Sequence, residues 1–135
     1  MDALAGHYDQ EARQQGVAVE WKLELPRLVP MPEADLCTIL GNLVENSLHA
    51  TQKLAPDQRQ VRVMAGMITP AMMCILVENR YDGVLKKQGG ILHSTKHEGR
   101  GVGLVSIETA VRKYHGNLTV EPENNIFRVN ILLNL

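Results

Sequence analysis

Two carboxamides, a carboxylate and an imidazole recur at helical spacing between Leu36 and Ala50: Asn42, Glu45, Asn46 and His49. Residues three and four apart are neighbours on a helix, so these four share one face. Leu36, Ile39, Leu40, Leu43, Val44 and Leu48 build a separate, apolar stripe. A solvated face would account for the polar group. Exposed helix faces, however, favour long charged residues of high helix propensity, and this one offers two amides and no lysine. A helix presenting amides and a carboxylate to a polar ligand fits the composition better.

A second stretch narrows the ligand. Glu98-Gly99-Arg100-Gly101-Val102-Gly103-Leu104 opens another helical pattern, with Leu104, Ile107, Val111 and Tyr114 on its inner side. Alternating glycines let the backbone approach a ligand closely. The helix start beyond them offers unpaired N–H groups and a positive dipole end, which suits phosphate. The run matches neither the P-loop nor the dinucleotide fingerprint, and by itself it is also what a turn looks like.

The elements that must position these residues can be read in order. Residues 2–15 have a helical pattern with Leu4, Tyr8 and Ala12 on one side and Gly16 as the stop. From Val17 to Leu25, apolar Val17, Val19, Trp21, Leu23 and Leu25 alternate with Ala18, Glu20, Lys22 and Glu24, a strand with one face in a core. Pro32, expected in the first turn, starts the asparagine helix with Glu33 and Asp35, and the helix runs to about Lys53. Val61, Val63 and Ala65 mark a second strand. Met72 to Glu78 is apolar almost throughout and reads as a central strand, joined to the second by a hairpin near Thr69-Pro70.

No period is visible from Gly83 to Gly99, which predicts a structureless, functional loop, a lid over the site. Its His93 and His97 have the spacing of a metal pair but no acid or thiol partner, so bystanders are expected. The glycine-rich helix ends at His115-Gly116-Asn117. Leu118 and Val120, then Phe127, Val129, Ile131 and Leu133, form a last hairpin. Strands joined mainly by hairpins, with helices between them, predict a mostly antiparallel sheet covered on one face: an α+β sandwich.

Composition removes several classes. A chain of 135 residues with net charge −1 is one domain with a real core and no broad nucleic-acid footprint. No apolar run approaches membrane-spanning length, and the N-terminus does not read as a signal peptide. Cys37 and Cys74 lie in apolar stretches and are expected to be buried and reduced, as in the cytosol.

Taken together, the asparagine helix, the lid and the glycine-rich helix resemble the GHKL ATPase superfamily of gyrase-type ATPases, heat-shock chaperones, histidine kinases and mismatch-repair proteins. Ile39-Leu40-Gly41-Asn42-Leu43-Val44-Glu45-Asn46-Ser47 is similar to the histidine-kinase N box. Gly101-Val102-Gly103-Leu104 is similar to the second glycine box, and Ser94-Thr95-Lys96 to the end of the ATP lid. The chain looks closest to the kinases that sense peptide pheromones, which act in quorum sensing.

The resemblance implies a two-layer sandwich of the Bergerat type, a mixed sheet under three helices. It implies a connecting-helix stub over residues 1–15, an ATP-binding domain over 16–135 and a lid over about 82–100. It also implies Mg²⁺ held by the amide oxygen of Asn46. His49 would reach the phosphates or ribose, or stand exposed. Gly101, Val102, Gly103 and Leu104 would wrap the phosphates with backbone amides, while Thr95, Lys96 and Arg100 line the same pocket and the last two supply charge. Relatives carry an Asp-x-Gly-x-Gly run whose aspartate reads the adenine amino group. Here the matching place is Asn79-Arg80-Tyr81-Asp82-Gly83, so the acceptor is Asn79 or, in a shifted register, Asp82.

ATP-hydrolysing relatives place a glutamate one turn before the metal-binding asparagine; here that position is Asn42, and an amide cannot act as a general base. Glu45 either orients the incoming imidazole or is merely solvated. The implied activity is that of a histidine kinase, a phosphotransferase with ATP and Mg²⁺ as cofactors. Its acceptor histidine would lie on an upstream dimerisation domain absent from this chain, with a response regulator downstream. The isolated domain is expected to be a monomer, cytoplasmic, within a membrane-anchored parent and without membrane contact of its own. Two other readings stand beside it: a serine kinase of the anti-sigma-factor type, and a nucleotide-sensing or partner-binding module that has lost transfer.

Overall fold

The computed structural model of the chain describes residues 2–81, 86–88, 91–93 and 100–135. Helix α1 (Asp2–Gln14) leads to strand β1 (Ala18–Glu24), and helix α2 (Glu33–Thr51) to a single 3-10 turn (Pro56–Gln58). Strands β2 (Gln60–Thr69) and β3 (Met72–Arg80) follow, then the short β4 (Lys86–Gln88) and β5 (Ile91–His93). Helix α3 (Arg100–Lys113) precedes β6 (Asn117–Glu123) and β7 (Ile126–Asn134).

Five strands form one mixed sheet in the order β1-β2-β3-β7-β6, with β1 parallel to β2 and every other pair antiparallel. The parallel pair needs a crossover, and α2 supplies it. Strand β3 lies at the centre of the order, as its unbroken apolar run predicts. Alternate residues of the three inner strands turn to the helices: Val61, Val63 and Ala65 on β2; Met73, Ile75 and Val77 on β3; Val129, Ile131 and Leu133 on β7. They meet Leu36, Ile39, Leu40, Leu43, Val44 and Leu48 of α2 and Ile107 and Val111 of α3 in one buried cluster. The predicted α2 stripe is therefore the core stripe. The α+β sandwich expected from the element order is what forms.

Both outer helices end in the same hydrogen-bond pattern. After α1, Val17 N–H donates to Ala12 O at 2.9 Å and Gly16 N–H to Arg13 O at 3.2 Å. After α3, Gly116 N–H donates to Val111 O at 2.9 Å and His115 N–H to Arg112 O at 3.0 Å. This six-to-one and five-to-two pair requires a left-handed residue between helix and strand. Gly16 takes that role after α1 with φ 72°, whereas after α3 it falls to His115, at φ 52°. Gly116 serves another need: a Cβ there would lie 2.2 Å from the carbonyl oxygen of Leu132 on β7.

The guanidinium of Arg59 ties the ends of α1 and α2 together. It donates to Gln15 O at 2.9 Å, Leu54 O at 3.1 Å and Gln52 O at 3.4 Å. Carbonyls at helix ends lack intrahelical partners, so one fork satisfies groups from two elements.

Three expectations need correction. The segment expected to be structureless contains the paired strands β4 and β5, in register Lys86↔His93 to Gln88↔Ile91; these are too short for a visible period. The two cysteines are free but only half-buried. Cys74 alternates with core-facing Met73 and Ile75, so it lies on the sheet face away from the helices. Pro32 is the cap before α2 rather than its first turn, leaving Glu33 and Asp35 as the acids at the dipole's positive end.

Candidate functional site

The polar residues of α2 divide by depth. Asn42 and Asn46 are half-buried, while Glu45 and His49 are exposed. Asn46 and His49 each have further interactions with the protein. On the side of α2 facing α1, the hydroxyl of Tyr8 donates to Glu45 Oε1 at 2.9 Å. Burial first, and then this bond, push the Tyr8 phenol up to about 12.

Asn79 closes the site from the sheet side. It follows Met73, Ile75 and Val77 on the buried face of β3 and is itself only 5% exposed. Its Nδ2 donates to the carbonyl of Arg80 at 2.9 Å, which orients the amide and leaves Oδ1 as its remaining acceptor. Chain connectivity brings this end of β3 to the end of α2. Asn79 pairs in register with Val61, at the start of β2, and only the 3-10 turn separates β2 from α2. Arg80 also donates to Gln58 Oε1 of that turn at 2.7 Å.

The glycine-rich segment arrives from the third side. Arg100 to Leu104 form the first turn of α3. At the far end of that helix, Lys113 Nζ donates to Asp35 Oδ2 at 2.9 Å, and the Tyr114 hydroxyl donates to the same oxygen. Asp35 is at the start of α2, and the two helices pack side by side, so they run in opposite directions. Gly103 precedes Lys113 by as many residues as Glu45 follows Asp35, and both helices climb about 1.5 Å per residue. The first turn of α3, whose N–H groups have no intrahelical acceptor, is therefore level with the Glu45–Asn46 turn.

The fold thus gathers Asn42, Glu45, Asn46, His49, Asn79 and the backbone of residues 100–104 at one end of the helical layer. Thr95, Lys96 and Asp82 lie outside the described residues, as does His97. The donor set suits a magnesium nucleotide: a neutral amide oxygen for a hard cation, a buried acceptor for an exocyclic amine, and helix N–H groups for phosphate. Among the described residues no cluster of three or more histidine, cysteine, aspartate or glutamate side chains could hold a metal by itself.

Tyr8 is the participant that sequence reading misses, since it appears only as an apolar member of the α1 stripe. A signal does exist. Glycine inside a helix costs about 1 kcal/mol, and at Gly41 a Cβ would lie 3.0 Å from the Tyr8 hydroxyl, a tight fit, and 3.6 Å from its ring.

Two shallow depressions also lie on the sheet, and the larger reaches Asn79 at the border of the site. The larger, about 440 Å³, is lined by Glu20, Arg62, Glu78 and Arg80 among others. Glu78 there accepts from Arg62 at 3.4 Å and from Arg128 at 2.7 Å, so its charges are already matched.

Comparison with known proteins agrees with this fold. The GHKL domain family matches residues 31–134. A probable C4-dicarboxylate sensor kinase of Halalkalibacterium halodurans is 32% identical over 99 residues, 68% of this chain and 18% of that protein, so the chain spans about a fifth of its relative's length. Among solved structures, the mycobacterial sensor histidine kinase MprB superposes with a TM-score of 0.67 at 17% identity, over 99% of this chain and 95% of that one. The catalytic domain of histidine kinase ThkA superposes with a TM-score of 0.73 at 14% identity, covering 98% of this chain and 88% of that one. The Acinetobacter baumannii kinase AdeS gives a TM-score of 0.68 at 10% identity, over 98% of this chain and 61% of that one. A match over most of its length, on the fold of sensor histidine kinase catalytic domains, makes this chain a member of the GHKL domain family.

Proposed function

We propose that this chain is the Mg-ATP-binding catalytic domain of a sensor histidine kinase, which donates a γ-phosphoryl group to a histidine on an upstream dimerisation domain. The observation that carries the proposal is the convergence of three elements: the Asn42–Asn46 face of α2, the oriented amide of Asn79, and the glycine-rich first turn of α3.

In this reading Asn46 is the protein's ligand to Mg²⁺, and Asn42 and His49 flank the phosphates. Asn79 accepts from the adenine amino group through Oδ1, its orientation set by the bond from Nδ2 to Arg80 O. The backbone of Gly101 to Leu104 cradles phosphate oxygens, with Thr95, Lys96 and Arg100 completing the pocket. Bound Mg-ATP supplies the transferable phosphoryl group and the charge neutralisation its transfer needs. Glu45 accepts the ring N–H of the incoming imidazole, so that the other ring nitrogen faces phosphorus. Asn42 withholds a general base from water, which protects the phosphoryl group from hydrolysis.

Helix α1 is read as the end of the connection from the dimerisation domain. The parent kinase is membrane-anchored with this domain on the cytoplasmic side; no described helix of the chain itself is long and apolar enough to cross a membrane. A pheromone signal rests on the Ser94-Thr95-Lys96 run preceding Arg100, whereas the Halalkalibacterium relative is a probable C4-dicarboxylate sensor kinase.

Calorimetric titration of ATP with and without Mg²⁺, on wild type and Asn46→Ala, tests the site. Mg²⁺-dependent binding that the substitution weakens is the expected result; no binding at millimolar nucleotide would remove the reading. A transfer assay to histidine then separates this kinase from a serine kinase of the anti-sigma type.

A further inference from the structure

We infer that Tyr8 is a positioning residue for Glu45, so that the placement of α1 against α2 sets the carboxylate beside the Asn46 turn. The inference rests on the proposed function, in which Glu45 meets the acceptor imidazole, and it adds a residue from outside the motifs that point to the nucleotide.

Three observations carry it. Tyr8 is 9% exposed, and its hydroxyl reaches Glu45 Oε1 at 2.9 Å across the α1–α2 contact. Glu45 is otherwise an exposed side chain with several rotatable bonds, so a buried donor that holds one oxygen removes much of its freedom. Second, α2 is cut back to admit the phenol: Gly41, one turn before Glu45, leaves only 3.0 Å between a would-be Cβ and the hydroxyl. A methyl at that position would sit tight against the hydroxyl, which would have to give by a few tenths of an ångström.

Third, α1 is anchored at two points that follow Tyr8 in the chain. Trp21 of β1 donates through Nε1 to Asp9 Oδ1 at 3.2 Å, and Arg59 holds Gln15 O at 2.9 Å. Glu45 lies one turn from both Gly41 and His49 and three residues from Asn42. It therefore stands on the border between the α1-facing stripe and the polar face. One carboxylate oxygen serves Tyr8; the other is left to face a partner. The burial and hydrogen bonding that push the phenol up to about 12 also keep it a donor across the neutral range.

The test is a double-mutant cycle in the parent kinase that the proposed function implies. Tyr8→Phe keeps the ring over Gly41 and removes only the hydroxyl. It is expected to lower kcat for histidine phosphorylation by roughly tenfold with KM for ATP unchanged, the signature of a displaced group rather than a lost binding contact. In a Glu45→Gln background, Tyr8→Phe should add nothing.

An equal loss from Tyr8→Phe in both backgrounds would mean the hydroxyl acts through packing, and would overturn the inference. If Glu45→Gln slows transfer and Tyr8→Phe does not, the inference falls while the role of Glu45 stands. If neither changes kcat but Asn46→Ala abolishes Mg-ATP binding, both roles fall and the nucleotide site survives. Alkaline absorbance titration of this chain adds a measurement independent of transfer. Glu45→Gln should bring the Tyr8 transition down from about 12; an unmoved transition would show that the contact is absent in solution.

Discussion

Asp35, in the first turn of α2, accepts a hydrogen bond at 2.9 Å from Lys113, in the last turn of α3. With the Tyr114 hydroxyl on the same oxygen, this contact joins the start of α2 to the end of α3, two helices that run in opposite directions with the glycine-rich turn level with Asn46. The Tyr114 bond first, and the Lys113 bond next, hold the Asp35 carboxyl below its ordinary value. A lowered folded-state pKa contributes stability above the unfolded value, and that stability is lost as pH falls through the folded one. Acid unfolding of wild type should therefore steepen below the ordinary carboxylate range, and Asp35→Asn should flatten that limb while leaving the neutral-pH slope unchanged. Circular dichroism melts across an acid pH series read this directly.

Arg59 predicts a stability loss remote from the site. Arg59→Ala strips carbonyls at the ends of α1 and α2 of a charged donor, and hydrogen bonds to charged groups contribute roughly 1.5–3 kcal/mol. A urea midpoint lowered by a ΔΔG of about 2 kcal/mol is expected. An unchanged midpoint would mean that water replaces the guanidinium at no cost.

Adjacent residues after α3 should respond in opposite senses. Gly116→Ala brings a methyl onto the Leu132 carbonyl oxygen, 2.2 Å away before relaxation, and should destabilise by about 1–3 kcal/mol or more. His115→Gly relieves a left-handed side chain at φ 52° and should stabilise by roughly 1 kcal/mol. The same pair of melts checks both.

Asn79 is where the chain departs from the aspartate of its resemblance, and restoring that aspartate is not expected to help. Asn79→Asp loses the donor to Arg80 O and places a carboxylate oxygen against a carbonyl in a site that is 5% exposed. A loss of about 1–3 kcal/mol in stability, with no gain in ATP affinity, is expected. Denaturant melts and nucleotide titration of the variant test this. A variant that is equally stable and binds ATP more tightly would show that the amide is not held by Arg80.

How much of this is legible without coordinates follows from the range of each interaction. The α2 stripe from Leu36 to Leu48 and the alternation of β1 are local periodicities, and both appear where their spacing places them. The half-burial of Val19, Trp21 and Leu23 is not local; it follows from β1 being an edge strand beside only β2. The tie between α2 and α3 is not local either, since Asp35 meets a lysine and a tyrosine nearly eighty residues away. Tyr8 meets Glu45 across 37 residues, and no motif contains them both. Left-handed backbone after α3 would be assigned to Gly116 by type, but the close approach of Leu132 claims that glycine and leaves His115 the strained position.

Strand β1 has a kinetic consequence. The β2–β3 and β6–β7 hairpins close short loops, whereas β1 pairs in parallel only after a chain segment of about forty residues has been brought round, at a higher loop-closure entropy. Strand β1 and the helix bonded to it through Trp21 and Asp9 should therefore join the sheet late in folding and leave it early in partial opening. In native-state hydrogen exchange, the amides of β1 should lose protection before those of β3 and β7. Each such opening carries Tyr8 away from Glu45, so the exchange rate of this one edge measures how long the carboxylate stays held.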